Sequence, residues 1–315
     1  MQPDSWALGT LIIGMAAASL RQAVPLLLAA IGETFTERSG VLNLGVEGIM
    51  LFGAFCGFWT AFTSGSIALG LLIAALAGSL VGLLMAFMSI TLRAQQGVSG
   101  IAILILCGGL VIMLNRLAFG TTLMLPRIEA LETIEIPLLS AIPFLGPVLF
   151  NQNILVYSTL LIVPVVWVVL FRTTWGVKIT AVGEYPRAAD AAGVDVGRIR
   201  YICTTIGGMF AGLAGAYIPL AELGMFPHNV TAGKGFIALA IVVLGRWNPV
   251  GCLLGAILFG AVQALQLRAQ SLGLEVPFQF MAMMPYALTI VALILVGKKV
   301  IGPTALTQPY VREEK

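Results

Sequence analysis

Nine apolar stretches separated by short polar or glycine-rich connections organise the chain: Ala7 to Ile31 broken by Arg21, Val41 to Phe62, Ser66 to Leu92, Val98 to Phe119, Ile154 to Phe171, Tyr201 to Leu220, Phe236 to Leu244, Pro249 to Leu267 and Val276 to Val296. Most reach the roughly 18–20 residues that a helix rising ~1.5 Å per residue needs to cross a ~30 Å hydrocarbon layer. The stretches are continuously apolar and rich in Leu, Ala and Gly. They lack the short alternating runs of a membrane barrel, so helices are predicted. The pattern gives an all-α polytopic membrane protein of about 8–10 transmembrane helices, including interrupted or half helices.

Composition agrees. Charged residues make up 10% of the chain and hydrophobic ones 59%, against roughly a quarter charged in a soluble domain. Gly48 to Leu92 carries no charged side chain and is long enough to cross twice, with a turn at Thr63-Ser64-Gly65-Ser66. Ala7 to Leu20 runs into Arg21 and a second apolar stretch, not a small-residue cleavage site, so the first helix is expected to be retained. Cys56, Cys107, Cys203 and Cys252 lie in apolar segments without metal-type spacing and read as packing residues. The net charge of +3 comes mostly from basic residues flanking spans and gives no support to nucleic-acid binding.

Lys and Arg set the orientation. Arg172, Lys178, Arg187, Arg198 and Arg200 cluster in the 172–200 connection, and Lys298, Lys299, Arg312 and Lys315 in the tail, which places both in the cytoplasm. The 120–153 connection, with Arg127 against Glu129, Glu132 and Glu135, belongs outside. Arg93 and Arg246 then fall inside if Phe236 to Leu244 returns the chain to the cytoplasm. The C-terminus is expected inside and the N-terminus outside.

Two segments are too short to cross. Gly48 to Phe62 must either begin upstream, taking Asn43 and Glu47 into the membrane, or follow irregular backbone at membrane depth. Phe236 to Leu244 would span about 14 Å as a helix and follows the helix-breaking run Thr231-Ala232-Gly233-Lys234-Gly235, so it reads as a half-helix. Short, Gly-interrupted segments in corresponding halves point to a substrate path built from internal repeats. The pair here is Ser39 to Gly48 and Thr231 to Gly245, with Asn43, Gly45, Glu47, Gly233 and Gly235 as candidate pathway residues.

The most specific signal lies in the 172–200 loop, Gly176 to Asp195. Pro186 suits a helix start, Ala188 to Ala192 favour helix, and Gly193 suits its stop. Composition alone favours an ordinary surface connector, while a short exposed helix bearing small residues also fits a groove on another protein. The loop resembles the coupling segment of bacterial ABC-importer permeases of the family serving simple sugars, branched-chain amino acids and nucleosides. The similarity extends through Glu37 to Gly48, Ile136-Pro137-Leu138-Leu139 to Phe150-Asn151-Gln152, and Gly233 to Ala240. Within that family the chain most resembles the shorter of two permeases of nucleoside importers.

This resemblance implies a single permease domain over 1–315, multi-pass in the bacterial plasma membrane. It implies a heteromeric complex with a second related permease, a tandem ATPase, and an extracytoplasmic binding protein or lipoprotein. It also implies ATPase coupling through Gly183, Glu184, Pro186, Arg187, Ala188, Ala189, Asp190, Ala192 and Gly193. The chain is expected to be a transport subunit, not an enzyme, and to need no cofactor or metal. It has no phosphate loop, since Gly233-Lys234 is followed by Gly235 and the first glycine's place is taken by His228. His228, beside Pro227, reads as a structural or interfacial residue, because no partner cluster supports catalysis.

Glu47 and Asn43 carry two readings of equal weight. They line a pathway, as an intramembrane ionisable residue suggests, or Glu47 satisfies backbone N–H groups at a helix start. Arg21 reads as structural: snorkelling, capping a helix end, or pairing with a carboxylate such as Glu47. Gly78, Gly82, Gly207, Gly208, Gly212 and Gly215 are packing positions. An ion-coupled secondary transporter is the chief rival, but the apolar stretches are nearly bare of the carboxylates it would require. Nucleosides are the leading substrate and simple sugars the second.

Overall fold

The computed structural model describes residues 5–120, 126–135, 137, 140, 142, 145–271, 277–297 and 302–311. Expectations resting on Ile136, Leu138, Leu139, Val276, Lys298, Lys299, Arg312 and Lys315 lie outside these residues.

The first apolar stretch folds as one helix, α1 (Ser5–Arg38), which passes through Arg21 and Pro25 without interruption. Pro25 removes one backbone donor from the ladder, but Leu26, Leu27, Ala29, Ala30 and Ile31 are sealed in the core around it, and the helix continues through the defect. The helix outruns its hydropathy boundary because Glu33, Thr34, Thr36 and Glu37 are themselves buried. After Arg38 the chain turns at Gly40, whose φ of +91° suits a residue without a β-carbon. It then runs irregularly to Gly45 before α2 (Val46–Ser64) begins. The two options left open for this segment therefore both hold: the helix starts upstream of Gly48, and irregular backbone precedes it. That backbone is tolerated because it is enclosed by protein, with Ser39, Val41 and Asn43 fully buried.

A left-handed Gly65 stops α2, and the Ser66 side chain caps α3 (Ile67–Ala86), which continues as π-helical turns over Phe87–Thr91. Next come α4 (Gln96–Phe119), an antiparallel pair of short strands, β1 (Thr133–Glu135) and β2 (Asn151–Asn153), with the single turn α5 (Leu145–Leu149) between them, and then α6 (Ile154–Arg172). α7 (Thr174–Glu184) and α8 (Pro186–Ala191) form the 172–200 connection. The second half contains α9 (Val196–Tyr217), again ending in π-helical turns (Ile218–Leu223), then α10 (Lys234–Leu244), α11 (Pro249–Ser271) and α12 (Phe278–Gly297). Among the described residues seven helices are long and apolar enough to cross a membrane, and α10 and α12 supply two shorter apolar segments.

The halves α1–α4 and α9–α12 exchange roles in packing. α1 lies along α11 as α9 lies along α3, and α2 rests on α9 as α10 rests on α1. In each half a long helix is followed by an irregular segment, a broken helix and two further helices. The C-terminal end of α1 meets the N-terminal end of α9, where Arg200 donates from Nε to the Ser39 carbonyl at 3.1 Å, so the two helices run antiparallel and the repeat is inverted. Small residues permit the close crossings. A β-carbon on Gly78 would fall against the Gly208 carbonyl and 2.8 Å from the Gly212 Cα, and one on Gly208 would lie 2.7 Å from the Gly82 Cα, so α3 and α9 touch backbone to backbone.

Candidate functional site

The two broken segments meet at Glu47. This residue opens α2 and is 7% exposed, yet its carboxylate is spent on the other half of the chain. Oε1 accepts from Thr231 Oγ1 at 2.6 Å and from the Gly233 N–H at 2.8 Å, while Oε2 accepts from the Gly235 N–H at 2.6 Å. These backbone donors flank the first residue of α10, where a helix leaves N–H groups without intrahelical acceptors and carries partial positive charge. Gly233 is left-handed at φ +76°, which aims its N–H at the carboxylate as the helix begins. A β-carbon on Gly235 would lie 2.6 Å from the Glu47 backbone, so only glycine allows this approach. Glu47, Gly233 and Gly235 thus form one buried clamp across the repeat.

Asn43 and Gly45 sit on its far side. The Asn43 Oδ1 accepts from the Gly45 N–H at 3.0 Å, its backbone N–H donates to Glu33 Oε1 at 3.0 Å, and Leu42 donates to Gln96 Oε1 at 2.7 Å. These bonds satisfy the irregular backbone against α1 and α4. Arg21 takes neither the Glu47 carboxylate nor a break in α1; its charge acts on Glu222 and Tyr217 near the end of α9.

The opposite end of α10 reaches a second cluster. Arg246 and Trp247 both have positive φ (+53°), and this turn brings the Trp247 Nε1–H to Glu37 Oε2 at 2.5 Å. Arg38 donates to the Trp247 carbonyl and to Thr180 Oγ1 of α7, each at 3.0 Å, and its guanidinium stacks 4.6 Å from the Phe171 ring centroid. One side chain therefore joins α1, α6, α7 and the α10–α11 turn. Removing the indole donor leaves a buried carboxylate short of a partner, which costs about 1–3 kcal/mol. Trp247→Phe is expected to lower the unfolding free energy in detergent by that amount, read as a lower denaturation midpoint, and adding Glu37→Gln to recover part of it; equal midpoints for wild type and Trp247→Phe would show that the bond contributes nothing.

α8 starts on Pro186 and stops at Gly193, whose φ is +82°, while the Asp195 side chain caps α9. Arg187, Ala188, Ala192 and Gly193 are exposed and Ala189 is buried beneath them. Gly183 has no room for a side chain, since a β-carbon would collide with the Arg38 carbonyl. The Glu184 carboxylate accepts from Thr304 Oγ1 (2.6 Å) and N–H (3.2 Å), and the Gly183 carbonyl accepts from the Ala305 N–H at 2.8 Å. Arg200 Nη1 holds the Gln308 carbonyl at 2.9 Å. Residues 302–311 are thereby laid against α7 and α8, and a groove of about 590 Å³ runs between them. The sequence carried no periodic signal for this tail contact.

Hydropathy also cut the spans too early to register Glu33 and Glu37 in α1 and Glu222 in the π-helical end of α9. The membrane segments are thus richer in carboxylates than the apolar stretches suggested. Their bonds are structural in kind: Glu33 accepts from the Asn43 N–H, Glu37 from Trp247, Glu47 from three donors, and Glu222 from the Gln22 amide. Among the described residues no group of His, Cys, Asp or Glu could hold a metal ion, and His228 is exposed.

Apolar helices folded as an inverted repeat around two broken segments define a membrane transport subunit. The chain belongs to the family described as branched-chain amino acid transport system / permease component, whose model matches residues 15–296. It is 38% identical to a guanosine ABC transporter permease protein of Bacillus subtilis, over 95% of this chain and 96% of that one. A putative glucose ABC transporter permease protein of Haloferax volcanii is 37% identical, covering 95% and 98% of the two chains. A nucleoside ABC transporter permease protein of Lactococcus lactis is 36% identical, covering 92% and 94%. No solved structure matches the chain. The protein is an ABC-importer permease subunit that forms a translocation pathway; it is a transport component, not a catalytic one.

Proposed function

We propose that this chain is one of two related permeases of an ATP-driven importer for nucleosides. The observation that carries the substrate is its end-to-end similarity to permeases named for guanosine and nucleoside transport. The similarly complete match to a putative glucose permease makes simple sugars the second reading. Selectivity is set largely by an extracytoplasmic binding protein or lipoprotein that delivers the solute. The complex sits in a bacterial plasma membrane, with α7, α8 and the C-terminal tail on the cytoplasmic side and 120–153 outside. Uptake of labelled uridine and of labelled glucose, each challenged with unlabelled guanosine, uridine, glucose and leucine, tests the substrate: the nucleoside reading predicts chain-dependent uridine uptake that guanosine lowers and glucose and leucine do not, and chain-dependent uptake of glucose without uridine moves the assignment to sugars.

A tandem ATPase would dock on Gly183 to Gly193, with α8 as the inserted element. Support comes from its short form, its exposed small residues, and the connection of the preceding α7 through Thr180 and Arg38 to the α10–α11 turn. A rigid helix transmits a rigid-body motion that a loose loop would absorb. Gly193→Val meets nothing within 4 Å, so its effect comes from forcing a β-branched residue into a left-handed backbone, at a cost of about 1–3 kcal/mol. The variant is expected to reach the membrane normally and to lose ATP-driven uptake by tenfold or more. Wild-type uptake by Gly193→Val would remove the coupling assignment.

A further inference from the structure

A cavity of about 270 Å³ opens between α1, α10, α11 and α12. Gln22, Gln263 and Gln266 line it from α1 and α11, Lys234 from the first residue of α10, and Tyr286 from α12. Polar groups gathered from four membrane helices do not face lipid; they line a wet passage or a ligand. Gln22 lies 16 residues before Arg38, about 24 Å along α1, so the cavity is remote from the α7–α8 connection.

Its hydrogen-bond inventory points to the ligand. Gln263 is 8% exposed and its Oε1 is buried without a partner, which leaves a costly unmet acceptor on a residue of the cavity wall. The Tyr286 hydroxyl spends its proton on the Ala232 carbonyl at 2.7 Å, so its oxygen is left as an acceptor too. Gln22 donates to Glu222, on which the Lys234 charge also acts, so the cation is partly answered from within the chain. Two acceptors seek donors, and a ligand O–H or N–H supplies them where a carboxylate or phosphate does not. Leu267 and Pro285 form an apolar wall beside them, matched to a solute with one hydroxyl-rich edge and one flat or apolar face. The volume, at the small end of ligand sites, excludes a peptide or lipid.

We propose that this cavity is a transient binding site within the permease for a neutral hydroxyl-bearing solute, a sugar or the ribose of a nucleoside, with the Gln263 amide oxygen accepting from a solute hydroxyl. The inference rests on the reading of the chain as a solute permease and assigns contact residues to it. The site adjoins the clamp: Ala232 and Lys234 face the cavity while Thr231, Gly233 and Gly235 are held by Glu47. Solute contacts and the clamp therefore alternate along one stretch of backbone at the start of α10.

The test uses the assembled importer in producing cells, with Gln263→Leu as an apolar replacement of similar size and the half-buried Gln266→Leu as a second variant. Labelled uridine and ribose uptake is measured across concentration at equal membrane abundance, with 2′-, 3′- and 5′-deoxyuridine as competitors. Gln263→Leu is expected to raise KM about three- to tenfold, the worth of one net hydrogen bond, and Gln266→Leu to raise it in the same direction. Because the binding protein is the same in wild type and variant, a change in relative competition reports the permease, and Gln263→Leu is expected to weaken discrimination against at least one deoxy analogue, which a general loosening of α11 would not produce. Unchanged KM and unchanged analogue discrimination in both variants overturn the site while leaving the permease reading intact. Uptake of ribose and not uridine by wild type overturns the nucleoside reading, and the KM shift for ribose then decides the site.

Discussion

Glu47→Ala abolishes transport while leaving the chain in the membrane. The substitution removes the shared acceptor of Thr231 Oγ1 and of the Gly233 and Gly235 N–H groups, and at the start of a helix those N–H groups have no intrahelical acceptor to replace it. Hydrogen bonds to a charged group contribute about 1.5–3 kcal/mol each, so losing two of the three already corresponds to a fall of ~100-fold or more in the clamped population. Insertion is unaffected, because the remainder of α2 gains rather than loses apolar character. Glu47→Gln keeps one carbonyl oxygen but turns an amide NH₂ toward backbone donors, so it should fall between alanine and wild type. The readout is solute uptake normalised to membrane abundance, and uptake by Glu47→Ala within twofold of wild type would show that the clamp is dispensable.

Gly78→Leu fails earlier, at folding. Its side chain would be driven into the Gly208 carbonyl and the Gly212 Cα, where the obstacle is backbone and cannot rotate aside. Overpacking against adaptable side chains costs about 1–3 kcal/mol; here α3 and α9 must separate along their contact, and the cost is higher. Full-length protein should be nearly absent from membranes and aggregate on detergent extraction, and Gly78→Ala should show the same defect in milder form. A monodisperse Gly78→Leu protein at normal abundance would contradict the backbone-to-backbone contact.

How far these features could be read from the sequence depends on their range. Segment number, helical character and the shortness of α10 follow from uninterrupted hydropathy and the Thr231 to Gly235 run, because both are local. The pairing of Ser39 to Gly48 with Thr231 to Gly245 was legible from their matching interruptions, although not that Glu47 bridges 186 positions to Gly233. A carboxylate at a helix start looks the same in sequence whether it caps its own helix or another. Glu33, Glu37 and Glu222 were missed for an opposite reason: burial inside protein allows polar residues at depths where a hydropathy boundary ends the span. Arg21 resembled a break in α1 for the same cause. The amide cavity has no linear signature, since Gln22, Lys234, Gln263, Gln266 and Tyr286 converge only after the inverted halves pack.

The proposed function is carriage of nucleosides with energy supplied by a partner's ATP hydrolysis. Labelled uridine uptake in cells lacking the chain, with and without its restoration, and under separate ATP depletion and proton-gradient collapse, tests it most directly. Restored uptake is expected to be lost on ATP depletion and to persist when the gradient is collapsed. Restored uptake that survives ATP depletion and vanishes with the gradient would contradict it.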